Sequence, residues 1–215
     1  MQVTLFDLDH TLLNINASVH FGRYLLRQKL LSFCSFFRCL ALYCLHQWGA
    51  LSSQKFHLFV FKALLSRLSN SELQKQIPLF MQKILPSHIR RSIWQRMQVA
   101  QQRGDYVAIL SHSPSFLVEP IANFCKVNHW LATQYEVNER EEFAKVAFIC
   151  QGEAKARYIQ ALGNQLNLPL SSFTFYSDSY LDLPALSLVG QAVAVAPDRS
   201  LAKISKKLGW EILKT

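Results

Sequence analysis

Two aspartates, Asp7 and Asp9, close the apolar run Gln2 to Phe6 in the string DLDHTL. At a turn following a strand, carboxylates two residues apart can point to the same side. A calcium loop of the EF-hand type does not fit, because its fifth and sixth positions fall on Thr11 and Leu12. Helix capping by an Asp cluster is the plainer alternative. Further on, VAIL runs into Ser111, His112, Ser113 and Pro114. A hydroxyl and free backbone N–H groups at a strand end suit a phosphate group, while Ser113 followed by Pro114 equally suits the start of a helix. Finally, FTFY runs into Ser177 and Asp178, with Asp182 four residues on, so that both carboxylates can face one cation. Magnesium needs only a few hard oxygen ligands and keeps some of its waters. The chemistry in prospect is that of a phosphate group beside a divalent cation.

These residues need a scaffold that brings three strand ends together. Short apolar runs at Gln2 to Phe6, Tyr106 to Leu110, Phe173 to Tyr176 and Gln191 to Val195 read as buried parallel strands, with Trp210 to Leu213 at an edge. Helical patterns separate most of them. The expected fold is α/β, a doubly wound parallel sheet whose ligands bind outside the carboxyl ends of the strands. Residues 16–85 show helical segments broken near Gly49, Asn70, Pro78 and Pro86, so they are expected to form an inserted α-helical cap. The α/β core then comprises residues 1–15 and 86–215, re-entered through a helix from Ser87 to Gln102. Alternation around Ala132 to Val137 and Val146 to Ile149 suggests a small β-hairpin within Trp130 to Ile149.

Asp7 with Asp9, then Ser111, then Asp178 with Asp182 follow in that order along the chain. The combination resembles the haloacid dehalogenase superfamily, whose ordered motifs are hhhDxDxT, hhhS/T, a distant lysine and hhhhDxxxD. The likeness covers essentially the whole chain. The long helical insertion after the first motif, SHSPSFLVEPIA around the second, and YSDSYLDLPAL with AVAVAPDRSLAKISKKLGW near the end resemble its phosphoserine-phosphatase-like branch. Of Lys126, Lys145 and Lys155, the branch's lysine corresponds best to Lys155, which follows Gly152 at the start of a helix, with Lys145 as the alternative.

The resemblance implies a magnesium-dependent phosphomonoester hydrolase working through an aspartyl-phosphate on Asp7, with Asp9 as acid and base. The implied metal set is Asp7, Asp9 through its main-chain carbonyl, Asp178 and, through water, Asp182. The implied phosphate contacts are Ser111 and Lys155, with His112 and Thr11 beside them; Thr11 also braces the turn. His10 is expected on the solvent or cap side. The substrate would be a small organic phosphate ester. Phosphoserine itself fits poorly, because the branch's DFDST and SGGF motifs are replaced by DLDHT and SHSPSF, and no acid lies between Asp9 and Glu72.

The cap adds a second reading. Leu30 to Leu45 holds LLSFCSFF and CLALYCL around Arg38. A membrane span needs about 20 apolar residues, and a central Arg opposes insertion by about 2.5 to 3.5 kcal/mol. The stretch is therefore expected to be a buried seam of the cap, with an interfacial helix as the alternative. RYLLRQ, the apolar cap and YSDS also resemble phosphatidylglycerophosphate phosphatases, so a membrane-associated lipid phosphatase is the alternative function.

Composition agrees with such a protein. Half of the 215 residues are apolar, enough for a good core. A net charge of +9 favours anionic ligands or an anionic membrane surface. The basic residues are dispersed rather than gathered on one element, so no nucleic-acid partner is expected. Five cysteines without a CxxC pair argue against a disulfide framework or a zinc ribbon, and Cys34, Cys39 and Cys44 are expected to be buried. No signal peptide is expected, since Met1 leads directly into the first apolar run. The expected compartment is the cytoplasm, with the inner face of the membrane as the alternative.

Overall fold

A computed structural model of the chain describes residues 1–47, 49–63, 70–139 and 143–214. The strands are β1 (Val3–Phe6), β2 (Tyr106–Pro114), β3 (His129–Val137), β4 (Phe143–Phe148), β5 (Phe173–Ser177), β6 (Gln191–Val195) and β7 (Glu211–Leu213). They form one sheet in the order β4-β3-β2-β1-β5-β6-β7. Every pairing is parallel except that of β3 with β4. Central β1 is buried along its whole length, as a strand covered on both faces must be. The order in which strands are added reverses at β1, with β2 on one side and β5 on the other, which places a ligand crevice at the carboxyl ends of β1, β2 and β5.

Two sequence expectations are corrected in the sheet. β2 runs to Pro114, not Leu110, and its ladder with β3 is irregular between Ser111 and Pro114. The hairpin is present as β3 and β4, but the first half of β3 also joins the main sheet beside β2. Its alternating second half hides a first half that belongs to the core. The hairpin tip at 140–142 lies outside the described residues.

The insertion supplies α1 (Ala17–Arg27), α2 (Phe33–Gln47), α3 (Ser53–Ala63) and α4 (Asn70–His88). Asn16 caps α1, accepting from the Val19 N–H at 2.9 Å. Phe21 of α1 packs edge-on against Phe80 of α4, ring centroids 5.0 Å apart. Pro78 and Pro86 do not break the chain, as they both lie within α4. A proline inside a helix removes a hydrogen bond, but Leu73, Ile77, Phe80, Met81 and Leu85 bury one face of α4, and this packing holds the helix through. The helix expected from Ser87 is in fact two: α4 ends at His88 and α5 (Arg91–Gln102) follows. The paths into and out of the cap are joined by an antiparallel bridge between Leu13 and Ile89, flanked by Asn14 N–H to His88 O and Arg90 N–H to Leu12 O, each 2.9 Å.

The stretch Leu30 to Leu45 is buried on one side only. Phe36 and Cys39 face inward at 9% exposure, whereas Phe33 is 64% exposed and Phe37 and Leu45 also face outward. Cys34 and Cys44 are exposed, against expectation, since successive fifth residues do turn to different faces of a helix. Among the described residues no helix is long and apolar enough to cross a membrane.

The remaining helices, α6 (Ser115–Cys125), α7 (Glu153–Leu166), α8 (Leu183–Leu186) and α9 (Arg199–Leu208), complete the two layers around the sheet. One apolar cluster joins α5 and α6 to the cap; the other lies between the opposite face and α7 to α9.

Candidate active site

Asp7 follows β1 directly, and its N–H continues the ladder to Tyr176 O at 2.8 Å. The chain then turns tightly over Leu8–Leu12, closed by Leu12 N–H to Asp7 O and Leu13 N–H to Leu8 O at 3.3 and 2.9 Å. His10 sits in this turn at φ 56°, a left-handed conformation uncommon outside glycine, and is exposed at the cap side. Arg90 clamps the turn from behind, donating to the His10 and Thr11 carbonyls at 3.0 and 3.1 Å. The turn thus holds Asp7 and Asp9 over the end of the sheet.

Lys155 is the lysine brought to these carboxylates. Its ammonium lies 2.7 Å from Asp7 Oδ1 and 2.7 Å from Asp182 Oδ2, and it is 2% exposed. Lys145 instead pairs with Glu136 on the exposed hairpin. The position of Lys155 depends on Gly152, which precedes α7 at φ 48°; a Cβ there would stand 3.0 Å from the Leu181 carbonyl. Burial alone would lower the Lys155 pKa, but Asp182 and Asp7 outweigh it and hold the ammonium charged. Asp182 also accepts from Ser177 Oγ at 2.7 Å, so the structure gives it the lysine as its neighbour.

Asp9 accepts at both oxygens, from the Ala17 N–H at the start of α1 and from the Ser113 hydroxyl. Ser113 in turn shares a 2.9 Å hydrogen bond with Ser18 of α1. Sequence reasoning read Ser113 as a helix cap, yet Pro114 occupies that place and caps with no side-chain bond. The irregular end of β2 turns the serine to Asp9 instead. Burial raises the Asp9 pKa, against the opposing pull of the Ser113 and Ala17 bonds.

Ser111 is fully buried at the end of β2, its oxygen accepting the Ser113 N–H at 3.1 Å. Thr11 donates to Asp178 Oδ1 at 3.3 Å, bracing that aspartate. His112 points away from the aspartates: its Nε2 meets Nε2 of His57 in α3 at 2.7 Å, and His57 Nδ1 meets the Tyr135 hydroxyl at 2.7 Å. This contact between cap and core had no signal in sequence spacing. Burial, then the neighbouring His46, lowers His57 to about 4. Burial and His57 lower His112 well below its ordinary value.

The site is short of positive charge. Asp7, Asp9, Asp178, Asp182 and Asp198 line one cavity of about 310 Å³ together with the single ammonium of Lys155, which contacts Asp7 and Asp182. Burial, eased by Lys155, pushes Asp7 up to about 7; burial, then Asp7, raises Asp178 well above the carboxylate range. Such a donor set fits a hard divalent cation. Among the described residues no three His, Cys, Asp or Glu side chains form a cage, but magnesium held by two carboxylates, a carbonyl and waters needs none.

The haloacid dehalogenase-like hydrolase family matches residues 4–187, which takes in all three strand ends. The chain belongs to this family. Its histidinol-phosphatase relative from Neisseria meningitidis serogroup C is 32% identical, over 98% of this chain and 97% of that one. A probable phosphatase from Mycobacterium tuberculosis is 40% identical over 110 residues, 51% of this chain but only 38% of that protein's length. The fold is also that of a substrate-bound phosphoserine phosphatase complex, at TM-score 0.76 and 14% identity, over 100% of this chain and 93% of that one. In this haloacid dehalogenase-like hydrolase the core and the helical insertion together follow the fold of that phosphoserine phosphatase.

Proposed function

We propose that the protein is a magnesium-dependent phosphomonoesterase that works through a phosphoryl group on Asp7. The observation that carries the reading is the buried Asp7–Lys155 pair at the end of β1, with Asp9 and Asp178 lining the same cavity. Its relatives named as phosphatases agree.

In the first step an Asp7 oxygen forms a bond to phosphorus as the bond to the leaving oxygen breaks, and the proton on Asp9 goes to that oxygen. In the second step water attacks phosphorus, gives its proton to Asp9 and releases Asp7. Asp9 must be protonated at the start, which its raised pKa favours. Ser111 donates to a phosphate oxygen, and Lys155 balances the charge of Asp7 and the phosphoryl group. Asp182 and Ser177 keep the lysine in place, while Thr11 orients Asp178. Magnesium would be held by Asp7, Asp178 and the Asp9 carbonyl, and would supply charge neutralisation for the incoming phosphate.

The test is phosphate release from p-nitrophenyl phosphate, with magnesium and with chelator. Release that needs the metal supports the reading; no release under either condition overturns it.

A second reading places the same chemistry on a membrane surface. It is favoured by the outward-facing Phe33, Phe37 and Leu45 of α2 and Leu58 and Phe59 of α3, on a chain of net charge +9. Salt-sensitive cosedimentation with vesicles of anionic lipid supports it, and its absence removes it.

A further inference from the structure

The cavity over Asp7 has two unlike halves. At the sheet end stand five aspartates and Lys155. The half formed by the cap contains no Asp, Glu, Lys or Arg among the described residues; it is walled by side chains such as Phe21, Leu25, Phe36, Leu40 and Val60. Gly22 lets Phe36 close against α1, its ring 3.3 Å from where a Cβ would be.

The polar groups in this half bond within the protein. His57 is held between Tyr135 and His112, His46 Nδ1 contacts the Leu51 carbonyl at 2.9 Å, and Ser18 is joined to Ser113. Burial keeps His57 uncharged at neutral pH. An ammonium or carboxylate on the leaving group would lose water here without gaining a partner of opposite charge. An alkyl or aryl group would lose only unfavourable contact with water. A volume of about 310 Å³ is at the small end for ligand pockets, which suits one chain or ring system beside the phosphate.

We infer that the substrate is a phosphate monoester whose leaving group is uncharged and apolar, seated in the cap half of the cavity. The inference rests on the phosphatase reading and refines it.

The full chain with magnesium should be assayed on n-alkyl phosphates from ethyl to octyl, on O-phosphoserine and histidinol phosphate, and on p-nitrophenyl phosphate as the reaction control. The expected result is a kcat/KM that climbs by up to about fourfold per methylene until the cavity is full, and that exceeds the values for both charged esters. A flat or falling series, or preference for a charged ester, overturns the inference while leaving the phosphatase reading intact. No release from any ester, the control included, overturns both. Leu40→Gln should flatten the climb; because the slope is a ratio within one preparation, it does not depend on how much of the variant is folded. An unchanged slope in that variant would place the leaving group elsewhere and overturn the inference.

Discussion

The ammonium of Lys155 lies 2.7 Å from Asp7 Oδ1, and both side chains are almost wholly buried. They are 148 residues apart in sequence and come from opposite ends of the chemistry, the end of β1 and the first turn of α7. Fixed so, the lysine screens Asp7 from Asp182 and from an arriving phosphate.

Replacing Lys155 with Met should therefore leave two buried carboxylates without their cation. The expected destabilisation is about 3 to 5 kcal/mol near pH 8 in chelator, and less near pH 5, where Asp7, pushed up to about 7 by burial, holds a proton. Urea unfolding at the two pH values checks this. An equal loss at both would remove Asp7 ionisation from the account.

The Ser113 hydroxyl favours ionised Asp9, so Ser113→Ala should raise the Asp9 pKa further. A hydrogen bond to a charged group supports an upward move of the kcat profile by about one pH unit. A lower rate with an unmoved profile would make Ser113 merely structural.

His57 gives the cap a pH dependence of definite sign. Its folded pKa, about 4, is below the ordinary 6.5, so the unfolded chain takes up the proton first as pH falls. Its contribution is present above about pH 6.5 and is lost as pH falls towards 4, by up to about 3 kcal/mol. The difference in unfolding free energy between parent and His57→Phe, followed across this window, isolates it from the carboxylates. A constant difference would contradict the assignment.

The aspartate cluster was legible because two apolar runs lead straight into Asp at the carboxyl ends of parallel strands; Asp7 and Asp178 needed no knowledge of packing. Lys155 was legible through the glycine before its helix. Other features depend on tertiary contact. Ser113 looks like a cap until the irregular end of β2 turns it to Asp9. His57 and His112 are 55 residues apart with no pattern, and only the closed cap makes them partners. Pro78 reads as a break unless the buried face of α4 is known. The outward half of Leu30 to Leu45 was hidden because an apolar run does not tell which of its faces finds a neighbour.

Magnesium should raise the melting temperature more near pH 8 than near pH 6, because binding must displace protons from carboxylates whose pKa values burial has raised. Asp178→Asn should abolish the magnesium shift. Asp182→Asn should keep it while lowering the melting temperature in chelator, since Asp182 holds Lys155. Thermal unfolding over a magnesium series distinguishes the two variants, and an inverted pattern would exchange their roles.

The central claim is that Asp7 itself carries the phosphoryl group. Asp9→Asn should slow breakdown of that species by about 10² or more, the usual contribution of a positioned base, and so allow it to accumulate. The direct measurement is acid quench of this variant during turnover of a phosphate ester, followed by peptide mass mapping. The expected result is one phosphoryl group on the peptide containing Asp7, absent from the same experiment with Asp7→Asn. Phosphate release at a measurable rate by Asp7→Asn would contradict it.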